Sequence, residues 1–445
     1  MFIVRGLFGL AILIAIAFIF SKNRRSINWK LVGTGIGLQL ILALLIFKVP
    51  GVDKAFGMVA TGFTKLLSFT DDGAKFVFGT WPDMTKLFAV ETNAAGEIVE
   101  VGHVVGFVFA FKVLPTIVFF SALTSLLYYL GILQKIVYAF AWVLSKTMKL
   151  SGAESLAAAA NIFIGQTEAP LVVKPYIANM TKSEIMSLMT GGMATIAGGV
   201  FALFIGLLGG SDELLQQQFA KHLLTASILS APAALVLAKV LVPETEEVET
   251  DLKIDKSKIG SGAIDSISVG TGEGVKLAVN VGAMLMVFIA FISLVNYLLF
   301  DLIGHYTGLN GVIADHTIYN GLNLQMILGY LFAPLAWVIG IESQDIVLAG
   351  QMLGEKTVIN EVIAYFSLRD FMGGDTPQLS QKTITMMTYA LCGFANFSSI
   401  GIQIGGIGGI APNQRARLAK LGMRALLGGT LACLMTAAIA GMFFS

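Results

Sequence analysis

Two carboxylates in this chain stand where carboxylates are costly. Glu168 lies in the polar run Gly165-Gln166-Thr167-Glu168-Ala169-Pro170, and Glu361 closes the run Glu355-Lys356-Thr357-Val358-Ile359-Asn360-Glu361, with apolar residues on either side of both. In such surroundings a carboxylate accepts charge-assisted hydrogen bonds from hydroxyl or N–H groups. Where the flanking residues lie in a membrane it marks a functional site; the plainer alternative is a carboxylate that ties together the tip of a turn. Other chemistry has less support. His103, His222, His305 and His316 are scattered without HExxH or comparable ligand spacing. Cys392 and Cys433 sit in apolar stretches and read as small core residues.

Composition dictates what positions the two acids. The 445 residues are 56% hydrophobic and 13% charged, with mean hydropathy +0.80, whereas a soluble domain carries roughly a quarter charged residues. A water-soluble globule is excluded. Lys and Arg number 29 against 28 Asp and Glu, so there is no basic field for nucleic acid, and lipid is the expected surrounding.

A helix crossing the ~30 Å hydrocarbon layer needs about 20 apolar residues. Eight segments qualify: Phe2–Phe20, Leu31–Phe47, Val105–Leu133, Ile185–Leu208, Phe219–Leu241, Leu277–Ile303, Thr383–Gly405 and Leu418–Phe444. Met1–Phe20 is apolar from its start and is followed by Lys22, Arg24, Arg25 and Lys30, the order of a first span rather than of a cleaved signal peptide. Basic residues collect in the odd connections: after Lys22, at Lys135, Lys146, Lys149, Lys174 and Lys182, at Lys239, Lys253, Lys256, Lys258 and Lys276, and at Arg415, Arg417, Lys420 and Arg424. Positive charge inside places these in the cytoplasm and both termini outside. Lys48–Glu100 reads as a charge-balanced connection, Gln134–Leu150 as a helix in the interface, and Pro243–Ser268 as a solvated linker.

Two further apolar segments are too short to span. Ser155–Ile164 runs into the first polar run before Leu171-Val172-Val173 resumes, and Asp345–Gly354 runs into the second before Val362–Phe366 returns. Each is expected to be a re-entrant hairpin, since broken backbone at membrane depth is tolerated where protein or a water-filled cavity covers it. Each hairpin is followed by two spans, an inverted repeat of hairpin–span–span. Such repeats with interrupted helices point to a secondary transporter with its site at mid-membrane. The expected fold is an all-α polytopic membrane protein. Its parts are 1–104 and 105–150 as scaffold, 151–242 as the first repeat, 243–276 as a linker, 277–342 as the sixth span with an interfacial segment, and 343–445 as the second repeat.

Three segments carry a resemblance: GQTEAPLVVKPY (Gly165–Tyr176), GEKTVINEVIAY (Gly354–Tyr365) and CGFANFSSIGIQIGG (Cys392–Gly406). Together they resemble the signature stretches of the concentrative nucleoside transporter family, in order over about Val105–Ser445. The resemblance implies eight spans with two re-entrant hairpins, a homotrimer, and nucleoside import driven by a sodium or proton gradient, with no enzymatic cofactor. It implies that Gln166, Thr167 and Glu168 face the nucleobase beside Val200. Glu361, Asn396 and Ser399 would hold the ribose hydroxyls, with Phe394 packed near the substrate. It implies a sodium site built from the side chains of Asn161 and Thr195 and the backbone carbonyls of Ile164 and Ile196. Both side-chain positions carry oxygen, which favours sodium over protons; the alternative is that Asn161 caps a half-helix and Thr195 bonds its own backbone.

Rival readings are a passive channel, whose selectivity would also come from polar groups at pore depth, and a membrane-embedded nucleoside hydrolase with Glu168 and Glu361 as its acid/base pair. GGIGGI (Gly405–Ile410) lacks the strand and the Gly-Lys-Ser/Thr of a phosphate loop and reads as tight helix packing. Glu154 is expected at the interface.

Overall fold

In lipid a helix end cannot leave its N–H groups to water, so every interruption of a buried helix needs a partner built into the chain. Seven helices between residues 152 and 410 begin on a side chain that accepts from their first turn, those of Ser151, Thr181, Asp212, Asn323, Asn360, Ser380 and Asn396. At Ser151 and Thr181 the cap is reciprocal, with Glu154 and Glu184 reaching back to the capping backbone N–H.

The structure, a computed structural model, describes residues 2–79, 87–92, 98–103, 108–210, 212–248, 260–373 and 377–444. Residues 105–107 of the third expected span and 249–259 of the polar connection lie outside the described residues. The described residues are helical apart from their loops and one small sheet, in which β1 (Leu87–Thr92) and β2 (Ile98–His103) pair antiparallel with Leu87 opposite His103. Seven helical stretches among them are long and apolar enough to cross a membrane, and the chain is an integral membrane protein.

The same order occurs twice. Gly152–Asn161 is interrupted and resumes as the short helices Ala169–Val172 and Lys174–Ile177; Lys182–Ala194 and Gly198–Gly209 follow as the halves of a broken helix, then the unbroken Glu213–Leu241. In the second round Ile346–Val358 is followed by Glu361–Met372, the halves Gln381–Leu391 and Phe397–Ile410, and the unbroken Arg415–Ala440. The two unbroken helices pack on each other and on the first halves of the broken ones, forming the core. The most apolar stretch of Glu213–Leu241 is wholly buried, whereas only 11% of the corresponding stretch of 263–307 is, so that helix lies at the periphery.

Several expectations are corrected. Ile185–Leu208 and Thr383–Gly405 are not single rods: extended backbone at Thr195 (φ −127°, ψ 171°) stops the first, and the second stops at Cys392 and restarts at the Asn396 cap. Val105–Leu133 ends at Tyr129, because Gly131 takes a left-handed conformation (φ 74°) and starts the amphipathic helix Ile132–Met148. The span expected at Leu277–Ile303 begins as early as Ala263 and widens into a π-helical stretch over Tyr297–Gly304.

The connection Lys48–Glu100 contains the helix Pro50–Phe78, which buries Ala60, Thr64, Leu67, Thr70 and Ala74 along one face. Its charges face elsewhere, Asp53 pairing with Lys221 and Asp71 with Lys112 at 2.8 Å. The second hairpin's interruption is also shorter than its polar run. Ile346–Val358 continues through Glu355 and Lys356, each of which finds a partner inside the protein: Gln351 donates to Glu355 Oε1 at 2.9 Å, and the Lys356 ammonium donates to the carbonyl of Ala390 at 2.8 Å.

Lys239 is not a loop lysine and Glu154 is not interfacial. Both are buried, and they form an ion pair between the helices Gly152–Asn161 and Glu213–Leu241. Ser187 also donates to Glu154 at 2.8 Å, and Lys239 donates to Ser183 at 2.9 Å. Lys239 also reaches the Glu244 carboxylate at 3.4 Å, so it is removal of the ammonium that leaves a buried charge, Glu154, without a counter-charge, which costs about 3–5 kcal/mol. Lys239→Met should therefore lower the thermal unfolding temperature of the detergent-purified protein sharply. Adding Glu154→Gln to it should recover most of the loss, and equal melting of the single and double variants would contradict the pairing.

Candidate functional site

The four helix interruptions converge. Phe394, in the break 392–396, donates its backbone N–H to the carbonyl of Thr195 in the break 195–197 at 3.3 Å. This close approach needs a glycine at 393, where a Cβ would lie 2.9 Å from the carbonyl oxygen of Met193 and 2.6 Å from the Cys433 sulfur. The single Cys433 thiol proton lies between the carbonyls of Cys392 at 3.4 Å and Ala194 at 3.6 Å, one from each frayed end, and is shared between them.

Both hairpin tips reach this crossing through side chains. Glu361 opens the helix Glu361–Met372, whose first turn is capped by Asn360. Its carboxylate accepts from the amide of Asn396 at 2.8 Å, and the Asn396 oxygen in turn accepts from Ser399 N at 2.9 Å and from the Ser398 hydroxyl at 2.7 Å. On the other side Gln166 Nε2 donates to Ser399 Oγ at 3.1 Å. Glu361, Asn396, Ser399 and Gln166 are thus one buried hydrogen-bonded chain running from the second hairpin to the first. Glu361 is its one charged acceptor; Ser399 keeps a hydroxyl proton and Gln166 an N–H to offer elsewhere.

The other expected residues lie around it. Thr167 sits over Gly406, at which a Cβ would be 3.6 Å from its methyl group. Phe394 is half-buried at the crossing, and Val200 is buried in the first turn of Gly198–Gly209. Glu168 does not join the chain. It lines a cavity of about 310 Å³ together with Ser121, Thr124 and Ser125 of the helix Leu114–Tyr129, the backbone of 163–165, and Glu273 of Ala263–Asn296. The first tip therefore faces two ways, Gln166 toward the second repeat and Glu168 toward the peripheral helices.

A second polar group lies beneath the first tip. Asn161 ends the helix Gly152–Asn161, and neither atom of its buried amide has a hydrogen-bond partner among the described residues. A Cβ on Gly191 would lie 3.1 Å from its nitrogen. Thr195 Oγ1 donates to the carbonyl of that same Gly191 at 2.9 Å, which leaves its oxygen lone pairs available. Among the described residues no hydrogen bond ends on the carbonyls of Ile164 or Ile196, both in interruptions. Four neutral oxygens without competing donors suit a hard monovalent cation. An unpartnered buried amide is otherwise costly, and a coordinated cation is one group that would satisfy its oxygen.

One polar side chain of the site escaped the sequence reading. Gln403, buried in Phe397–Ile410, donates to Gln166 Oε1 and to the carbonyl of Met189, each at 3.0 Å. The signal was present in CGFANFSSIGIQIGG: an amide in an otherwise apolar, Gly-rich helix must find partners inside the bundle.

Comparison with known proteins bears on the chain as a whole. Residues 222–441 match the family described as Na+ dependent nucleoside transporter C-terminus, residues 8–81 the one described as Na+ dependent nucleoside transporter N-terminus, and residues 110–211 the one described as Gate: Nucleoside recognition. An uncharacterized transporter of Haemophilus influenzae is 41% identical over 100% of this chain and 98% of its own length. Nucleoside permease NupC of Helicobacter pylori is 37% identical over 98% of this chain and 96% of its own. The solved structure of CNTnw in an inward-facing substrate-bound state superimposes with a TM-score of 0.86 at 38% identity, covering 100% of this chain and 98% of that one. The resemblance carried by the three signature stretches thus extends over the whole chain, which belongs to the Na+ dependent, or concentrative, nucleoside transporter family.

Proposed function

We propose that this protein is a sodium-driven nucleoside symporter of a bacterial inner membrane, working by alternating access at a site between two re-entrant hairpins. Family membership makes transport, and not bond cleavage, its activity. The observation that carries the finer reading is the hydrogen-bonded chain from Glu361 through Asn396 and Ser399 to Gln166, which joins both hairpins across one crossing of broken helices. Its polarity suits a nucleoside. Glu361 accepts from and Asn396 donates to the ribose hydroxyls, Gln166 and Thr167 meet the base beside Val200, Phe394 offers an aromatic face, and Glu168 meets the base from the adjoining cavity.

Sodium is cargo in this scheme. Bound by Asn161, Thr195 and the carbonyls of Ile164 and Ile196, it links the end of the first hairpin helix to the break at 195–197 and so orders the tip that carries Gln166. The two ligands then raise each other's affinity by the same factor, which is what couples the ion gradient to substrate movement. The orphaned Asn161 amide favours sodium over the proton-coupled alternative, since a neutral amide coordinates a cation but carries no titrating proton. The cavity at Glu168 is lined by the C-terminal half of Leu114–Tyr129 and the N-terminal part of Ala263–Asn296, the ends that the charge pattern assigns to the cytoplasm, which supports an inward-facing reading. Both termini face outward. The peripheral helices are scaffold, and their exposed apolar faces meet lipid and the partner subunits of a homotrimer.

Uridine uptake into proteoliposomes should saturate and should rise with an inward sodium gradient; equal uptake in the absence of both sodium and proton gradients would leave only a passive pore. Glu361→Gln removes the charged acceptor, and at about 1.5–3 kcal/mol for such a bond it should weaken apparent uridine affinity by roughly ten- to a hundredfold. Unchanged affinity would take Glu361 out of the site. In Asn161→Ala the sodium concentration for half-maximal uptake should rise several-fold while uptake at saturating sodium survives, and an unaltered sodium curve would refute the ion assignment.

A further inference from the structure

Gln403 does more than fill space. A backbone carbonyl can only accept, so the 3.0 Å contact with the Met189 carbonyl identifies the nitrogen end of the Gln403 amide. The second hydrogen of that nitrogen points at Gln166, which must present its oxygen there. The Gln166 nitrogen is then turned toward Ser399 Oγ with one N–H left uncommitted. Gly192 makes room for the pair: a Cβ at that position would lie 2.8 Å from Gln403 Nε2 and 2.9 Å from Gln166 Cβ. Gln403 Oε1 is buried without a hydrogen-bond partner among the described residues, so its nitrogen alone ties this amide in place.

We infer that Gln403 is the positioning residue for base selectivity: by fixing the Gln166 amide in one of its two orientations it makes the first hairpin offer the nucleobase a donor and not an acceptor. The inference rests on the reading that Gln166 faces the base. Nucleobases differ in which edge positions donate and which accept, uracil-type O4 accepting where the cytosine N4 amine donates, so the orientation of one amide discriminates among them. An amide free to flip discriminates less.

The test uses the full chain in proteoliposomes under an inward sodium gradient, with uridine, cytidine, adenosine and inosine in pairwise competition and 2′-deoxyuridine as a ribose control. In Gln403→Met at least one base-against-base uptake ratio should move toward unity by about tenfold. The uridine to 2′-deoxyuridine ratio and the half-maximal sodium concentration should hold. In a Gln166→Met background the same substitution should change no ratio further. Gly192→Ala, which presses on the pair from the opposite helix, should shift the same base ratio in the same direction and carries the test should Gln403→Met not fold. Unchanged base ratios, equal shifts of base and ribose ratios, or a further change in the Gln166→Met background would each overturn the proposal. Absence of saturable uptake of every nucleoside by the unsubstituted protein would instead overturn the nucleoside reading beneath it.

Discussion

The contact on which the interior depends is a single backbone hydrogen bond between two broken helices, from Phe394 N–H to Thr195 C=O. A helix stopped in the middle of an apolar bundle exposes groups that lipid cannot satisfy and the protein must. Here each break supplies what the other lacks, with Cys433 completing the set from an unbroken neighbour. Once the two breaks cross, the first turn of Phe397–Ile410 is aimed at the first hairpin tip, and the polar residues of that turn become available to bind something. The site is therefore a by-product of solving a backbone problem, which is why most of its residues come from loops and helix starts, with Gln403 the mid-helix exception.

The large-scale plan was legible from physical chemistry alone. Apolar lengths gave most of the spans, and two short interrupted segments gave the repeat. The site was legible as residue types: an acid, an amide and a hydroxyl in an apolar context have few purposes. What could not be read was where polar residues turn inward. Lys239 reads as a loop lysine because one lysine at the end of an apolar run usually is, and only its partner Glu154, distant in sequence, places it inside. Lys356 reads as a break in the second hairpin for the same reason, though its ammonium reaches the Ala390 carbonyl from within a continuous helix.

The breaks at 195–197 and 392–396 were hidden by the opposite effect. Their residues, Thr195-Ile196-Ala197 and Cys392 through Asn396, are apolar or small enough to continue a hydropathy window, and the helix stops because of backbone conformation and capping. The capping pattern was a usable signal. Ser151-x-x-Glu154 and Thr181-x-x-Glu184 mark two helix starts, and Asn360 and Asn396 mark two more within the signature stretches. Length alone likewise concealed Pro50–Phe78, whose apolar face is spread over eight turns and never forms a continuous run.

The pair formed by Glu154 and Lys239 bears on how the first repeat is made. The ribosome delivers the hairpin helix with its carboxylate well before it delivers the far end of Glu213–Leu241 with the matching ammonium. Until that last helix enters the membrane, the hairpin carries an uncompensated charge and has no stable seat among its neighbours. It must stay near the membrane surface, where water can solvate the carboxylate. Assembly of the repeat is then all-or-none, completed by its final helix, and a chain truncated before Lys239 would leave quality control a hairpin it can recognise as unfinished.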